Sequence, residues 1–165
     1  MKPRSSRRSA PQRARTNGEL HGRVFTSREA AIASGVPFFT IDYWGRTRFL
    51  VPTVFAGNGR GKGRQRLYSY GDLIRLAIAR ELRDQRVSLE TLRSIVHRLG
   101  PHAAELDAAR YAVVGRDVEL ARSDDELLAI LRRRGRRTFG VVLDLREVVG
   151  AVRERAASLP LAAGA

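Results

Sequence analysis

Apolar residues recur at helical spacing through most of the chain, and this periodicity predicts its elements before composition is considered. In the first half, spacings of three and four residues indicate four helices. The predicted helical segments are TSREAAIAS at 26–34, PFFTIDYW at 37–44, SYGDLIRLAIARELRDQ at 69–85, and the stretch from Ser88 to Leu99. The second half mixes short strand-like runs with helical ones.

The first two helices are predicted to form a helix-turn-helix. Thr26 or Ser27 can accept hydrogen bonds from the free N–H groups of the first turn, and Gly35 supplies a turn suited to positive φ. Pro37 is tolerated in the first turn of the second helix. Helix, glycine turn and helix follow one another in under twenty residues, which is the spacing of this motif.

The third and fourth helices carry polar caps. Ser69 and Asp72 approximate a capping box, and Ser88 caps the fourth helix before Gly100 ends it. On the third helix, Leu73, Leu76, Ala77, Arg80 and Leu82 lie broadly on one side. The apolar stripe of the fourth helix is assigned to the core, and it consists of Leu89, Leu92, Ile95, Val96 and Leu99.

A glycine-rich basic run, GNGRGKG, separates two strand-like pieces, RFLVPTVF and RQRLYS. We predict a hairpin with a long tip over residues 48–69, which we call the wing; an ordinary solvated hairpin is the alternative. Its basic side chains would supply charge-assisted contacts to phosphates: Arg60, Lys62, Arg64 and Arg66. A nucleotide-phosphate loop is excluded, because Gly61-Lys62 is followed by glycine rather than by a hydroxyl that could hold magnesium.

From residue 110 the pattern predicts a small unit of strand, strand, helix, strand and helix, so the whole chain is α+β. The segments are RYAVVGRDVELA for two strands, SDDELLAILRRRG for a helix, TFGVVLDL for a buried strand and REVVGAVRERAASL for the final helix. Residues 101–109 are a predicted linker, and residues 160–165 a tail. Because about 50 residues bury little core, we expect this unit to dimerise or bind a partner, with its last helix as the contact.

The net charge of +14 over 165 residues is distributed unevenly. Residues 1–24 carry seven basic and one acidic residue, residues 25–100 carry 13 and six, and residues 101–165 carry 11 and ten. The first hundred residues therefore favour a polyanion, and we take that partner to be nucleic acid. Residues 1–24 are rich in Arg, Ser, Pro and Gly, and they are predicted to be a disordered basic arm.

Several classes of protein are excluded or disfavoured by composition. The chain has no cysteine, so disulfides, thiolate metal sites and a cysteine nucleophile are excluded. No apolar run reaches the roughly 18 residues of a membrane span, and a cytoplasmic, nucleoid-associated protein is expected. His97 and His102 are too few for a metal site, and the acidic run 124–126 is interpreted as a helix start. No cofactor and no enzymatic activity are predicted.

Three stretches carry a family resemblance: DYW at 42–44, RLYSYGDL at 66–73 and VSLETLRSIV at 87–96. Together with the order of elements, they make residues 25–99 resemble the N-terminal DNA-binding domain of the MerR family of transcription regulators. The resemblance implies a winged helix-turn-helix whose second helix, Pro37 to Gly45, enters the major groove while the wing follows the flanking backbone. It also implies homodimers that bend and untwist near-palindromic, double-stranded promoter sites, with RNA polymerase as a further candidate partner.

The resemblance assigns roles to four residues. Tyr43 matches a tyrosine whose hydroxyl touches a phosphate, and Trp44 matches an aromatic residue that packs the helix in place. Arg66 and Tyr68 match the R-x-Y of the wing and are both predicted to contact DNA, Arg66 at the backbone. Guanidinium and hydroxyl groups are the usual partners of phosphates, so the chemistry of these side chains agrees with the roles.

Other residues of the second helix are interpreted from their chemistry. Thr40 could reach a base edge or a thymine methyl group, or make no contact. Asp42 stands where the family often has arginine. It could pair with Arg46 one turn on, which we favour, or accept a hydrogen bond from a cytosine amino group. Three apolar residues are predicted to pack rather than to read bases: Phe38, Phe39 and Ile41.

The resemblance ends near residue 100. The long coiled-coil helix that the family places after its fourth helix is missing, and so are the cysteines with which metal-sensing members bind ions. Two alternatives to a specific regulator therefore stay open. One is an antitoxin-like or adaptor protein whose C-terminal unit binds another protein and whose DNA binding is autoregulatory. The other is a nonspecific architectural factor.

Overall fold

The structure is a computed structural model, and it describes residues 17–54, 66–134 and 140–160. Two 3-10 turns, Gly100–His102 and Leu106–Ala108, precede the C-terminal strands. The other elements are α1 (Asn17–His21), β1 (Val24–Thr26), α2 (Ser27–Ser34), α3 (Phe38–Arg46), β2 (Leu67–Ser69), α4 (Tyr70–Asp84), α5 (Leu89–Leu99), β3 (Tyr111–Val114), β4 (Val118–Ala121), α6 (Asp124–Arg134), β5 (Val141–Asp144) and α7 (Arg146–Ser158). The predicted α+β class is confirmed.

Helices α2 and α3 form the predicted helix-turn-helix. A capping box starts α2, because the Glu29 N–H donates to the Thr26 hydroxyl oxygen and the Glu29 carboxylate accepts from the Thr26 N–H at 2.9 Å. Gly35 follows α2 with a φ of 71°, in the left-handed region that glycine adopts without strain. The second helix then begins directly after Pro37.

The prediction of a strand over residues 48–54 is wrong, since only Val54 pairs there, through a single bridge to Leu67. The cause lies at the end of α3. Arg48 adopts a φ of 53°, and the Phe49 N–H donates to the Trp44 carbonyl at 2.8 Å, which is a Schellman-type helix end. The Phe49 ring stacks on Trp44, and both are buried. The chain therefore turns back over α3 instead of extending.

Strand β2 pairs with β1 rather than with residues 48–53, in an antiparallel register that sets Phe25 opposite Tyr68. This N-terminal strand was not predicted. Helix α1 and strand β1 also shorten the predicted arm of residues 1–24, because residues 17–24 are ordered around a fully buried Leu20. Residues 1–16 lie outside the described residues.

Helix α4 lies at the centre of the fold and is buried along most of its length. The predicted capping box of Ser69 and Asp72 starts it. Gly71 approaches the turn after α5 so closely that a Cβ there would lie 2.1 Å from the Ala103 carbonyl oxygen. Helix α5 packs against α4. Of its predicted stripe, Leu92, Ile95, Val96 and Leu99 are buried and Leu89 is exposed.

The C-terminal strands form an antiparallel sheet in the order β4-β3-β5. Neighbouring residues of β3 face opposite sides of this sheet. Ala112 and Val114 belong to the main core, and Val113 belongs to a smaller cluster with Ala121 and Ile130 of α6. The sheet therefore lies between the main core on one side and α6 on the other.

The last helix packs within its own chain. Val149, Val152 and Ala156 of α7 are buried, and α7 contacts α2 and α4. Leu106, in the predicted linker, is also fully buried in the same core. The apolar face of α7 is thus not free to form the predicted dimer contact, and the two predicted domains share one core.

Candidate nucleic-acid interface

Helix α3 has one side fixed in the core and the other turned outward. Ile41 and Trp44, three residues apart, are 1% and 4% exposed. Phe39, Tyr43 and Arg46 are spaced by four and three residues, so they share the opposite side. Trp44 has the packing role predicted for it, since it is stacked on Phe49 with ring centroids 4.8 Å apart. The core side holds the helix in place, and the outer side faces solvent.

Phe39 is 84% exposed, and the prediction that it packs is wrong. Phe38 is 42% exposed and meets the Phe39 ring edge to face at 6.2 Å. Ile41 packs as predicted, and Thr40 is half-buried. A phenyl ring held in water on the first turn of such a helix is an apolar surface that a partner can cover. The sequence reasoning missed this residue.

Tyr43 is exposed, and its hydroxyl makes no hydrogen bond to another described residue. The backbone at this position is well held, because the Thr47 hydroxyl and the Thr47 N–H both donate to the Tyr43 carbonyl oxygen at 2.9 Å. The phenol is thus presented from a fixed helix end, and no described residue accepts its proton.

Asp42 bridges two arginines. Its Oδ2 lies 3.1 Å from Nε of Arg46, which is the predicted pairing along the helix, and its Oδ1 lies 3.1 Å from Nη1 of Arg66. Arg66 precedes β2 and crosses Gly45, where a Cβ would come 2.8 Å from its Nε. Asp42 therefore ties the base of the wing to α3, and it holds two guanidinium groups on the same side of the helix.

The comparison with protein families decides what this helix-turn-helix is. Residues 25–99 match the model of the MerR HTH family of regulatory proteins. Residues 25–99 are a MerR-family helix-turn-helix domain. We call them the MerR domain.

Curated relatives agree with this assignment. The chain is 31% identical over 123 residues to proteins described as uncharacterized HTH-type transcriptional regulators, from Mycobacterium bovis and from two strains of Mycobacterium tuberculosis. Each match covers 72% of this chain and 53% of the relative. The chain thus spans about half the length of the curated relatives it matches.

Tyr68 of the MerR domain is 1% exposed, which argues against its predicted contact with DNA. Its ring lies in the core opposite Phe25. Burial raises the pKa of the Tyr68 phenol, and a hydrogen bond with Ser27 partly opposes that rise. Of the R-x-Y pair, only Arg66 remains at the surface, and Tyr68 holds β2 in position beneath it. The tip of the wing, with Arg60, Lys62 and Arg64, lies outside the described residues.

A buried ion pair supports the MerR domain from inside. Nη1 of Arg75 donates to Oδ1 of Asp72 at 2.8 Å, and the two side chains are 3% and 0% exposed. Arg75 also donates to the Val96 carbonyl on α5, while Oδ2 of Asp72 accepts from the Thr53 N–H at 2.8 Å. Burial lowers the pKa of the Arg75 guanidinium, although the Asp72 charge opposes this. The network fixes α4, α5 and the chain segment that follows α3.

Metal-ligand clusters and membrane-spanning helices are absent from the described ranges. No three His, Cys, Asp or Glu residues there lie close enough together to hold a metal ion. His97 is at the surface, where its Nε2 lies 3.1 Å from the Arg48 carbonyl oxygen. No helix in residues 17–54, 66–134 and 140–160 is both long and apolar enough to cross a membrane.

Proposed function

We propose that the chain is a sequence-specific, double-stranded DNA-binding transcription regulator that binds a near-palindromic promoter site as a homodimer. One observation carries the proposal: the outer side of α3 presents Phe39, Tyr43 and Arg46 to solvent beside Arg66. Aromatic, hydroxyl and guanidinium groups on a rigid helix are the groups that contact bases and phosphates. The membership of this helix in a MerR domain supports the same function.

Helix α3 would lie in the major groove with its first turn against the bases. The N-terminal residues of a recognition helix are the ones that contact base edges. Phe39 and Thr40 stand there, and the phenyl ring of Phe39 would cover a thymine methyl group. Tyr43 and Arg46, further along, would contact phosphates on either side of the groove. On this proposal, the first turn of α3 reads bases and its later residues bind the DNA backbone.

Asp42 would act as a positioning residue rather than as a reader of bases. A guanidinium group has five N–H donors, so Arg46 and Arg66 can each bond Asp42 and still donate to a phosphate. The carboxylate removes one unit of positive charge from the surface but fixes the direction of two arginines. A pre-oriented cation loses less side-chain entropy when it binds.

The remaining basic residues would add affinity without sequence preference. Arg60, Lys62 and Arg64 of the wing, and the arginines before residue 17, would neutralise phosphates flanking the site. We further propose that the protein works on nucleoid DNA in the cytoplasm, where it distorts promoters together with RNA polymerase. Affinity should then fall steeply with salt, with a slope of about 0.9 per phosphate neutralised.

Selection of bound duplexes from random DNA, followed by titration of variants, tests the proposal. We expect the selected sites to be two-fold symmetric. Phe39→Ala should lose on the order of 1 kcal/mol of discrimination at one base pair, the value of covering one methyl group, which fluorescence anisotropy on single-base variants of the site would measure. Tyr43→Phe and Arg66→Ala should weaken specific and nonspecific duplexes alike, by about 1–2 kcal/mol each.

Leu89→Ala is the matched control, because Leu89 is an exposed apolar residue of the same domain on α5. It should bind like the unchanged protein. Unaltered binding by Phe39→Ala, Tyr43→Phe and Arg66→Ala at low and moderate salt would remove α3 from the interface. Random duplexes that all bind equally well would instead identify a nonspecific architectural factor.

A further inference from the structure

Helix α6 leaves an apolar side uncovered. Its inner side packs on the sheet through Ile130 and Leu127, next to Val113 of β3. Leu128 and Leu131, one turn apart, are 46% and 41% exposed. Val142 of β5 is 44% exposed and lies opposite Val113 in register, so it belongs to the same side of the sheet as α6. We call Leu128, Leu131 and Val142 the α6 patch.

Charges at the two ends of α6 frame this patch. The first turn is acidic, with Asp124, Asp125 and Glu126, and the last turn is basic, with Arg132, Arg133 and Arg134. Most of these charges are engaged locally; Arg133 and Arg134, for example, both contact Glu119. Asp125 and Arg132 have no ion-pair partner among the described residues. They lie three residues before and four residues after Leu128, so they share its side of the helix.

Such a pattern is complementary to itself only in the antiparallel sense. If two copies of α6 meet about a two-fold axis, Asp125 of each copy faces Arg132 of the other, and the leucines meet between them. A parallel arrangement would set acid against acid and base against base. Two-fold contacts of this kind use the same surface on both copies and close into a dimer.

We propose that the α6 patch is the homodimer interface, formed by antiparallel contact of α6 with a second copy of α6. The proposal rests on the proposed binding of a two-fold DNA site, which requires two copies of the MerR domain. In this proposal α6 takes the place of the last helix as the dimer contact, because the apolar residues of α7 are buried against α2 and α4. An 11-residue helix and one strand residue bury little area. The dimer should therefore be reversible, with a dissociation constant on the order of micromolar.

Sedimentation equilibrium of the full chain without DNA tests the leucines. The unchanged protein should show a monomer–dimer equilibrium. Leu128→Glu and Leu131→Glu should each weaken it by on the order of thirtyfold or more, because a charge then enters an apolar contact. Leu89→Glu, at a more exposed leucine on α5, should leave it unchanged. A strictly monomeric unchanged protein, or a dimer insensitive to both α6 variants, would overturn the proposal.

Charge reversal tests the antiparallel geometry. Asp125→Arg and Arg132→Asp should each weaken self-association by roughly tenfold, because each places like charges opposite one another twice. An equimolar mixture of these two variants should form a heterodimer, since every facing pair is then opposite in sign. The doubly reversed variant should self-associate again. A mixture that stays monomeric contradicts the antiparallel contact.

Binding to a single half-site separates this proposal from the proposed function. A monomeric Leu128→Glu variant should bind a half-site duplex as well as the unchanged monomer does. It should lose only the extra affinity that a dimer has for a duplex with both half-sites. If the dimer behaves as described but no duplex is preferred, the interface stands and the regulator proposal falls. A stoichiometric foreign protein held at the α6 patch would refute the homodimer.

Discussion

Arginines in the two halves of the chain have different neighbours. In the C-terminal half, several arginines form ion pairs with carboxylates of the same half: Arg110 with Asp124, Arg146 with Asp144, and Arg133 and Arg134 with Glu119. In the MerR domain, the exposed side chains of Arg28, Arg48, Arg83 and Arg86 have no ion-pair partner among the described residues. These four arginines are therefore not neutralised by a carboxylate of the described residues.

This difference separates two uses of charge. Paired charges at the C-terminal surface contribute little to stability, because exposed ion pairs in water are weak. Unpaired arginines around a helix-turn-helix are available to phosphates. Inside the MerR domain, by contrast, Asp72 and Arg75 form a buried pair that no partner can reach. The domain thus keeps this ion pair inside and the arginines without an ion-pair partner outside.

Removing the buried partner is the strongest way to test this comparison. Arg75→Met would leave the Asp72 carboxylate buried and unpaired, so we expect a loss of about 3–5 kcal/mol in the free energy of unfolding. Glu119→Gln, which breaks surface pairs in the C-terminal half, should cost roughly 1 kcal/mol or less. Urea unfolding followed by fluorescence of Trp44, the only tryptophan, measures both.

A second variant tests whether the Arg75 effect comes from the unpaired charge. Asp72→Asn combined with Arg75→Met removes both charges, and it should be less destabilising than the sum of the single variants. Equal costs for Arg75→Met and Glu119→Gln would show that the buried pair has no special weight.

Particular residues show why the sequence predicted the helices better than the wing. Thr26, Ser69 and Ser88 are side-chain caps, and such local signals are visible in one sequence. Arg48 and Arg86 instead lie two residues beyond the ends of α3 and α4, at φ 53° and 61°. Glycine is the usual residue at such a position and the usual sequence signal of a helix end. Without that glycine, the sequence after α3 predicts a strand that does not form.

The sequence predicts the contacts of the candidate interface only where they lie within one helix. The pairing of Asp42 with Arg46 follows from helical spacing, so the sequence was sufficient. The link from Asp42 to Arg66 spans 24 positions and depends on how the wing folds back. Whether Phe39 or Phe38 faces the core depends on where α3 docks, and no periodicity of a nine-residue helix fixes that. Burial of Tyr68 likewise follows from its pairing with β1, which has only three residues.

Because the two halves share one core, a substitution in α7 should lower the stability that Trp44 reports from the MerR domain. This effect is smaller than that of Arg75→Met. Val152→Ala on α7 removes buried carbon atoms that pack against the MerR domain, and it should cost about 2 kcal/mol. We expect the melting temperature reported by Trp44 to fall by roughly 4–8 °C. Glu154→Ala, on the exposed side of the same helix, should leave it unchanged. If Trp44 does not sense Val152→Ala, the two halves unfold independently.

Asp107 joins the two halves, and it gives the smallest expected effect. Its side chain is 5% exposed and lies 2.9 Å from Arg153 of α7 and 3.1 Å from His21 of α1, while the Tyr70 hydroxyl of α4 donates to it. Burial alone would raise the pKa of Asp107, but the hydrogen bonds from Arg153 and His21 outweigh burial and lower it below 3.8. A lowered pKa in the folded state means that the ionised carboxylate stabilises the fold.

That contribution should be complete above the pKa of the unfolded chain and should disappear as the pH falls through the lower pKa of the folded state, that is, below about pH 4. Asp107→Asn should therefore be less stable than the unchanged protein at pH 7, and the difference should shrink between pH 4 and pH 2. Urea midpoints by Trp44 fluorescence at these pH values measure it, with the exposed Asp117→Asn as control. A difference that stays constant down to pH 2 would mean that the Asp107 charge does not stabilise the junction.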